Sequence, residues 1–236
     1  RTALMYAAAN GILEVATLLI VNGADLEAKS RYGSTALMSA VCFNKLEIIT
    51  LLIENGADID AKDTDEKTAL MHAASIGNLE VARLLIENGA DLEAKDRHGS
   101  TALKSAVSRN KRECITLLIE NGANIDAKDR YGNTALMGIV APISKRFYEY
   151  GGDRIEIMSL LIKNGADVNA TNKYGESALT KAATFFPRNL EVVTLLIENG
   201  ADIEAQDAGG KTALMWAADQ GELEVVTLLI ENGADI

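Results

Sequence analysis

Apolar and polar positions alternate along this chain in a pattern that changes period twice within each short unit. In residues 35–43, "TALMSAVCF", apolar side chains return on successive helical turns, and Thr35 stands where a helix needs a side-chain acceptor for its first free N–H groups. That predicts a short helix from 36 to 43. Asn44 interrupts it, and "LEIITLLIEN" follows with Leu46, Ile49, Leu52 and Ile53 on one face, ending at Gly56. Ala36, Leu37 and Ala40 supply the smaller face that opposes them. The next stretch, "ADIDAKDTDEK", mixes small, apolar and acidic residues and reads as an extended turn. Helices of nine or ten residues are marginal alone in water, because the cost of nucleation is spread over few hydrogen bonds. Neighbouring units must therefore supply the burial.

The neighbours are copies of the same unit. Asn-Gly-Ala followed by Asp or Asn begins at Asn22, Asn55, Asn88, Asn121, Asn164, Asn199 and Asn232, in steps of 33, 33, 33, 43, 35 and 33 residues. Thr-Ala-Leu, or once Ser-Ala-Leu, marks the same units from Thr2, Thr35, Thr68, Thr101, Thr134, Ser177 and Thr212. A fixed period of this length is the signature of a solenoid in which each unit buries its apolar face against the next.

The stretches "GSTALMSA", "GNTALMGI" and "GKTALMWA" resemble the G-x-T-P-L-H-x-A signature of ankyrin repeats, and "LEVVTLLIENGADIEAQD" resembles that family's second helix and hairpin. The resemblance covers the whole chain. Ala stands in place of the family's Pro in every copy, and Met replaces its His in five, with Lys104 and Thr180 in the others. Loss of the preorganising Pro predicts softer helix starts. The implied fold is all-α: one ankyrin repeat domain over 1–236, a solenoid of helix-turn-helix units joined by hairpin-like loops around a concave groove. Its repeats fall at approximately 1–29, 30–62, 63–95, 96–128, 129–171, 172–206 and 207–236. The last unit ends like an interior one, so a longer array with fraying terminal repeats is expected.

Composition agrees with a packed core: 48% hydrophobic and 24% charged residues, with aromatics at only 5%. No apolar run approaches the roughly 20 residues of a membrane span. Cys42 and Cys114 fall at different places in units two apart, about 20 Å from each other at roughly 10 Å per layer. That is too far for a disulfide, and two free thiols suit a reducing, cytoplasmic setting.

Catalysis finds no foothold. Only His72 and His98 are present, neither in a metal-ligand spacing, and the carboxylates recur once per unit like scaffold rather than converging on one constellation. No cofactor or metal is implied. "AGGKT", residues 208–212, lacks the first Gly of a phosphate-binding loop, since Ala205 stands there, and is turn chemistry. Asn169, in "ADVNAT", formally fits a glycosylation acceptor, and the family resemblance would also allow hydroxylation there. Its place in a repeated hairpin favours a plain turn residue.

The positions that vary between copies carry the function. All eleven aromatics avoid the repeated core positions. Tyr32, Tyr131 and Tyr174 share the hairpin-tip place before Gly, with His98 as a fourth counterpart. Tyr6, His72 and Trp216 share a place on the first helix. Phe43 ends a first helix, and Phe147, Tyr148, Tyr150, Phe185 and Phe186 lie in the turn between the two helices. In the family these places line the groove or its rim, and aromatics there are expected to anchor a partner.

Net charge is −11, yet most of the 34 acids occupy repeated scaffold places. The bases cluster elsewhere, Arg97 and Arg130 in hairpins and Arg109 in a turn between helices. A protein or peptide partner with acidic anchors is expected, while the strongly negative total argues against nucleic acid. In the fifth unit "APISKRFYEYGGDR", ten residues longer than its counterparts and with Gly151 and Gly152 turning the loop back, and two extra residues around "FFPR" in the sixth are expected to shape a binding rim, with Pro142 and Pro187 stopping the first helices. The sequence thus predicts a non-enzymatic interaction module or scaffold. A sensor of an anionic small molecule or nucleotide and a mechanical spacer are the alternatives.

Overall fold

The computed structural model describes residues 1–140, 151–184 and 190–236. Its packing divides the chain into two compact units, Arg1–Asn124 and Ile125–Ile236. The first contains α1 (Ala3–Asn10), α2 (Leu13–Val21), α3 (Ala36–Cys42), α4 (Leu46–Glu54), α5 (Ala69–Ile76), α6 (Leu79–Glu87), α7 (Ala102–Ser108) and α8 (Arg112–Glu120). The second contains α9 (Ala135–Val140), α10 (Gly151–Lys163), α11 (Ala178–Thr184), α12 (Leu190–Glu198), α13 (Ala213–Gln220) and α14 (Leu223–Glu231). In the first unit, each first helix packs on its own second helix, and α1, α3, α5 and α7 stack in series. The second unit repeats this with α9, α11 and α13 in one row and α10, α12 and α14 in the other. No strand occurs among the described residues.

The repeated residues form the ends of these helices. Thr35, Thr68, Thr101 and Thr134 are buried, and each hydroxyl accepts the N–H three residues on, at 3.3 Å for Met38 and 3.4 Å for Met71, Lys104 and Met137. Each second helix stops at the Asn of Asn-Gly-Ala. The Asn55 amide donates to the Leu51 carbonyl at 2.8 Å, Gly56 turns left-handed at φ 86°, and the Ala57 N–H returns to the Leu52 carbonyl.

The buried stripe of the second helix differs from the expected one. Ile48, Ile49 and Leu52 are fully buried in α4, whereas Leu46 and Ile53 lie half-exposed at its edges. The same offset recurs as Val81, Ala82 and Leu85 in α6 and Val192, Val193 and Leu196 in α12. A second helix touches both its own first helix and the second helix of an adjacent repeat, so its apolar face is centred between two contacts rather than on one.

A second correction concerns Gly151 and Gly152, expected to turn a loop back. Both belong to α10, which begins four residues earlier than its counterparts. The first turn of a helix asks little of a glycine, since its N–H groups have no intrahelical partner to align with. Arg154 follows them and donates to the Val140 carbonyl at the end of α9 at 2.5 Å. Pro142 and Pro187 lie outside the described residues.

Successive repeats are tied by a recurring hydrogen bond. A side-chain oxygen from one hairpin accepts the backbone N–H at the start of the next: Glu27 from Asp58 at 2.8 Å, Asp60 from Asp91 at 3.0 Å and Glu93 from Asn124 at 2.7 Å. The second unit continues with Asp126 from Asp167, Asn169 from Asp202 and Glu204 from Asp235. Asn169 is therefore a turn residue with its amide used twice, since its Nδ2 also donates to the Gly200 carbonyl. Lysines run the opposite way around: Lys29 and Lys62 donate to the carbonyls of Lys62 and Lys95.

Two of these tying carboxyls, Asp60 and Asp126, are pushed above the usual carboxylate range, first by burial and then by the neighbouring Asp91 and Asp167 carboxylates, against the lowering effect of the N–H each accepts. A raised carboxyl contributes stability below its ordinary pKa of about 3.9 and loses it as pH rises through the folded value, so at neutral pH these two carry an electrostatic cost. Asp60→Asn and Asp126→Asn keep the acceptor, as Asn169 does, and can donate to the Gly89 and Gly165 carbonyls. Each is expected to stabilise its unit at pH 7 by a few tenths of a kcal/mol after solvent screening, with the gain shrinking to nothing near pH 3. Denaturant titrations at the two pH values check this.

The hairpin tips hold a second local cost. The tip glycines are left-handed, and at Gly33 a Cβ would lie 2.5 Å from the Thr64 backbone nitrogen of the next repeat. The third repeat places Glu66 at that position with φ 61°. A left-handed conformation costs a residue with a Cβ about 1–2 kcal/mol, offset in part by the unfolded-state entropy that Gly adds. Glu66→Gly should therefore stabilise the first unit by about 0.5–1 kcal/mol, read as a rise in denaturation midpoint without a change in m-value.

Candidate partner-binding surface

The hairpin tips are rigid on their backbone side and open on their side-chain side. The side-chain oxygen that begins each tip folds it: Asp129 Oδ1 accepts the N–H groups of Tyr131 and Asn133, Asp96 does the same for His98 and Ser100, and Ser30 and Asn172 serve the Tyr32 and Tyr174 tips. The tip carbonyl is then taken by the next repeat, Tyr32 by the Thr64 N–H, Tyr131 by the Lys173 N–H and Tyr174 by the Ala208 N–H. The tyrosine rings remain outside, with Tyr32, Tyr131 and Tyr174 exposed by 55%, 42% and 56%. Arg31 and Arg130 lie over the rings that follow them, 4.4 and 4.7 Å from the ring centres, and each donates to the hydroxyl of the same tyrosine. Each pair is a flat aromatic face capped by a cation that has already given up conformational freedom.

The other candidates divide. His98 is exposed at its tip. Arg97 is tied to the preceding hairpin, donating to the Thr64 carbonyl at 2.5 Å and pairing with Asp65 at 3.0 Å. On the first helices, His72 Nε2 lies 2.9 Å from Asp63 Oδ2, and Trp216 Nε1 donates to Asp207 Oδ2 over the same distance. Asp63 and Asp207 each use the other oxygen to fold their own turn. The Asp207 carboxyl is held below the usual range, first by the Lys211 N–H and also by the Trp216 indole, and the Lys211 ammonium sits 3.9 Å from the indole centre. His72 and Trp216 thus brace first helix to hairpin while keeping one side in solvent. Tyr6, at the same place in the first repeat, is exposed.

At the far ends of the first helices, Phe43 caps α3 and is exposed, and Arg109 caps α7 from the equivalent position. Phe147, Tyr148, Tyr150, Phe185 and Phe186 lie outside the described residues.

Two features went unnoticed in the sequence. Ile76 occupies the place of Phe43 in the next repeat and is 46% exposed; comparing copies for any exposed apolar residue, rather than for aromatics alone, finds it. In the sixth repeat, Asn172, Glu176 and Lys181 form a partly buried network. Asn172 Nδ2 donates to Glu176 Oε2 and Asn133 Oδ1, and Lys181 pairs with Glu176 at 2.9 Å. There the turn's usual acid is neutral and the charge pair sits beside it.

Cys42 and Cys114 are free thiols pushed above the ordinary thiol range: Cys114 chiefly by burial, and Cys42, still exposed at the end of α3, by partial desolvation and then by the Asp63 carboxylate. Among the described residues no group of three or more His, Cys, Asp or Glu is placed to hold a metal ion, and no helix is long and apolar enough to cross a membrane.

The family model "Ankyrin repeats (3 copies)" matches residues 1–63, 60–129 and 148–236. Among solved structures, the human ASB11 ankyrin repeat domain is 26% identical with a TM-score of 0.77, covering 100% of both chains. The ankyrin repeat domain of Bcl-3, described as a unique member of the IkappaB protein family, is 30% identical with a TM-score of 0.81, covering 98% of each chain. No curated protein sequence matches the chain. Family match, full-length structural likeness and the repeated Thr cap, Asn-Gly stop and acid-folded hairpin agree: the chain belongs to the ankyrin repeat family.

Proposed function

We propose that this chain is a non-enzymatic interaction module that grips a protein or peptide through its hairpin tips and the outward side of its first helices, the concave face of the family's fold. Ankyrin repeat domains are generally protein–protein interaction modules. What carries the reading to these residues is the stacked Arg–Tyr tip: the rings of Tyr32 and Tyr131 contribute little to the core, yet Arg31 and Arg130 hold them as prepared faces. Exposed aromatics fixed in this way offer large contact area at small entropic cost. The adjoining cations suit a partner with acidic anchors, and the free Cys42 and Cys114 suit work in a reducing compartment.

Tyr131 and Tyr174 stand on adjacent repeats of the second unit, joined through the Lys173 N–H to Tyr131 carbonyl bond. Tyr131→Ala with Tyr174→Ala should leave the denaturation midpoint within about 0.5 kcal/mol of the parent, as surface changes do. It should remove at least tenfold in affinity for a protein retained by the intact chain from an extract of its source, equivalent to about 1.4 kcal/mol. Parallel losses of stability and binding would assign the tyrosines to hairpin packing, and an intact chain that retains no protein would remove the reading.

A further inference from the structure

The turns between first and second helices in the first unit form a ridge at the opposite end of the first helices from the hairpin tips. Phe43 and Ile76 occupy the same place in consecutive repeats and protrude, 56% and 46% exposed. Interior helix positions of the same repeats, such as Leu37, Leu52, Leu70 and Leu85, are 0–2% exposed, so these two side chains are excluded from the core by their position. The two stand at equivalent places one repeat apart, so they present a pair of apolar anchors at the repeat spacing rather than one contiguous patch.

The ridge is flanked by cations. The Lys111 stem reaches back over Gly77, beside Ile76, close enough that a Cβ on Gly77 would lie 2.6 Å from Lys111 Cδ; Lys45 crosses Gly11 in the same way. Arg109 follows Phe43 and Ile76 as the third residue of the row. None of Lys45, Arg109 and Lys111 forms an ion pair among the described residues. The repeated acids Glu47 and Glu113 stand two residues after Lys45 and Lys111, in the first turns of α4 and α8, and the Asp63 carboxylate is near enough to Cys42 to raise its thiol. With a Debye length of about 8 Å at physiological salt, a ligand here is governed by the local charges, these three cations among them, rather than by the negative total of the molecule.

We infer that this ridge is a binding site for an extended acidic peptide segment whose two apolar side chains sit on Phe43 and Ile76 while its carboxylates meet Lys45, Arg109 and Lys111. Adjacent repeats stand about 10 Å apart. A polyproline-II segment puts residues i and i+3 on one side about 9 Å apart, which matches that step. A helix would need a groove to lie in, and here the apolar side chains protrude. The inference rests on the interaction-module reading and assigns that module a second surface with a stated ligand chemistry.

The probe is the fluorescein-labelled peptide EELSTLEE, with KKLSTLKK and EELLSTEE as charge and spacing controls, titrated against the whole chain by fluorescence anisotropy. Saturable binding of the first peptide, at least tenfold tighter than either control, is expected. Phe43→Ser with Ile76→Ser should weaken it tenfold or more, and Arg109→Glu with Lys111→Glu should do so independently, each variant keeping the parent's circular dichroism. Tyr131→Ala with Tyr174→Ala should leave it unchanged. Cys42, exposed on α3 immediately before Phe43, supplies a local readout, since saturating peptide should slow its alkylation at least threefold. Equal binding of the controls, indifference to both ridge variants, or Cys42 alkylation at the unliganded rate would each overturn the ridge site. The tyrosine variants' loss of a natural partner would survive that result, so failure here and failure of the interaction-module reading remain distinguishable.

Discussion

A hydrogen bond handed from each hairpin to the next is the interaction on which the rest depends. Helices of six to nine residues, such as α9 and α4, do not persist alone in water. They persist here because each repeat is set at a fixed step from its neighbour, where Ile48, Ile49 and Leu52 and their counterparts meet an apolar surface. The step is set by backbone N–H groups accepted across the gap by Glu27, Asp60, Glu93, Asp126, Asn169 and Glu204. A bond to a charged acceptor contributes about 1.5–3 kcal/mol where buried and less where water competes. Its geometric effect is larger than its energy, because a hairpin displaced by one residue would carry its helix pair out of register with the core.

That dependence explains what the amino-acid pattern revealed and what it withheld. The Thr that starts a helix, the Asn-Gly that stops one and the recurring acids act within a few residues of themselves, so their roles are legible locally. The buried stripe of α4 is set by two neighbours at once, and periodicity within nine residues cannot place its centre between them. Gly151 and Gly152 look like loop residues in any single-chain reading, yet α10 continues through them. For the candidate surface, the exposure of Tyr32, Tyr131, Tyr174 and Phe43 follows from their absence from repeated core places. The hydrogen bonds that tie Trp216 and His72 to their turns, and Arg97 to the hairpin before it, leave no local mark in the sequence, because the bonded groups lie nine or more residues apart.

Variation at one structural place therefore has two different outcomes. At the first-helix position, His72, Lys181 and Trp216 each find a polar partner in or beside their own turn, Asp63, Glu176 and Asp207, so substitution there is read first as a change in bracing. At the tip position the acid's two hydrogen bonds go to backbone N–H groups, leaving the side chain of Tyr131 or His98 with no structural duty. A repeat can then change its tip residue without disturbing the fold, which is the physical condition for altering a partner while keeping a scaffold.

Charge is partitioned by the same logic. The tying acids accept N–H groups of the next repeat, and the hairpin lysines Lys29 and Lys62 donate to carbonyls, so these charges are held at fixed places along the hairpins. The total of −11 describes the far field, which slows the approach of nucleic acid and other polyanions. Recognition is decided within a Debye length, and there the outward cations count: Arg31 and Arg130 over their tyrosines, and Lys45, Arg109 and Lys111 along the helix-turn ridge. An acidic molecule can thus present local basic contacts, because its hairpin acids are fixed in place by the bonds that hold the repeats together while cations stand at other places.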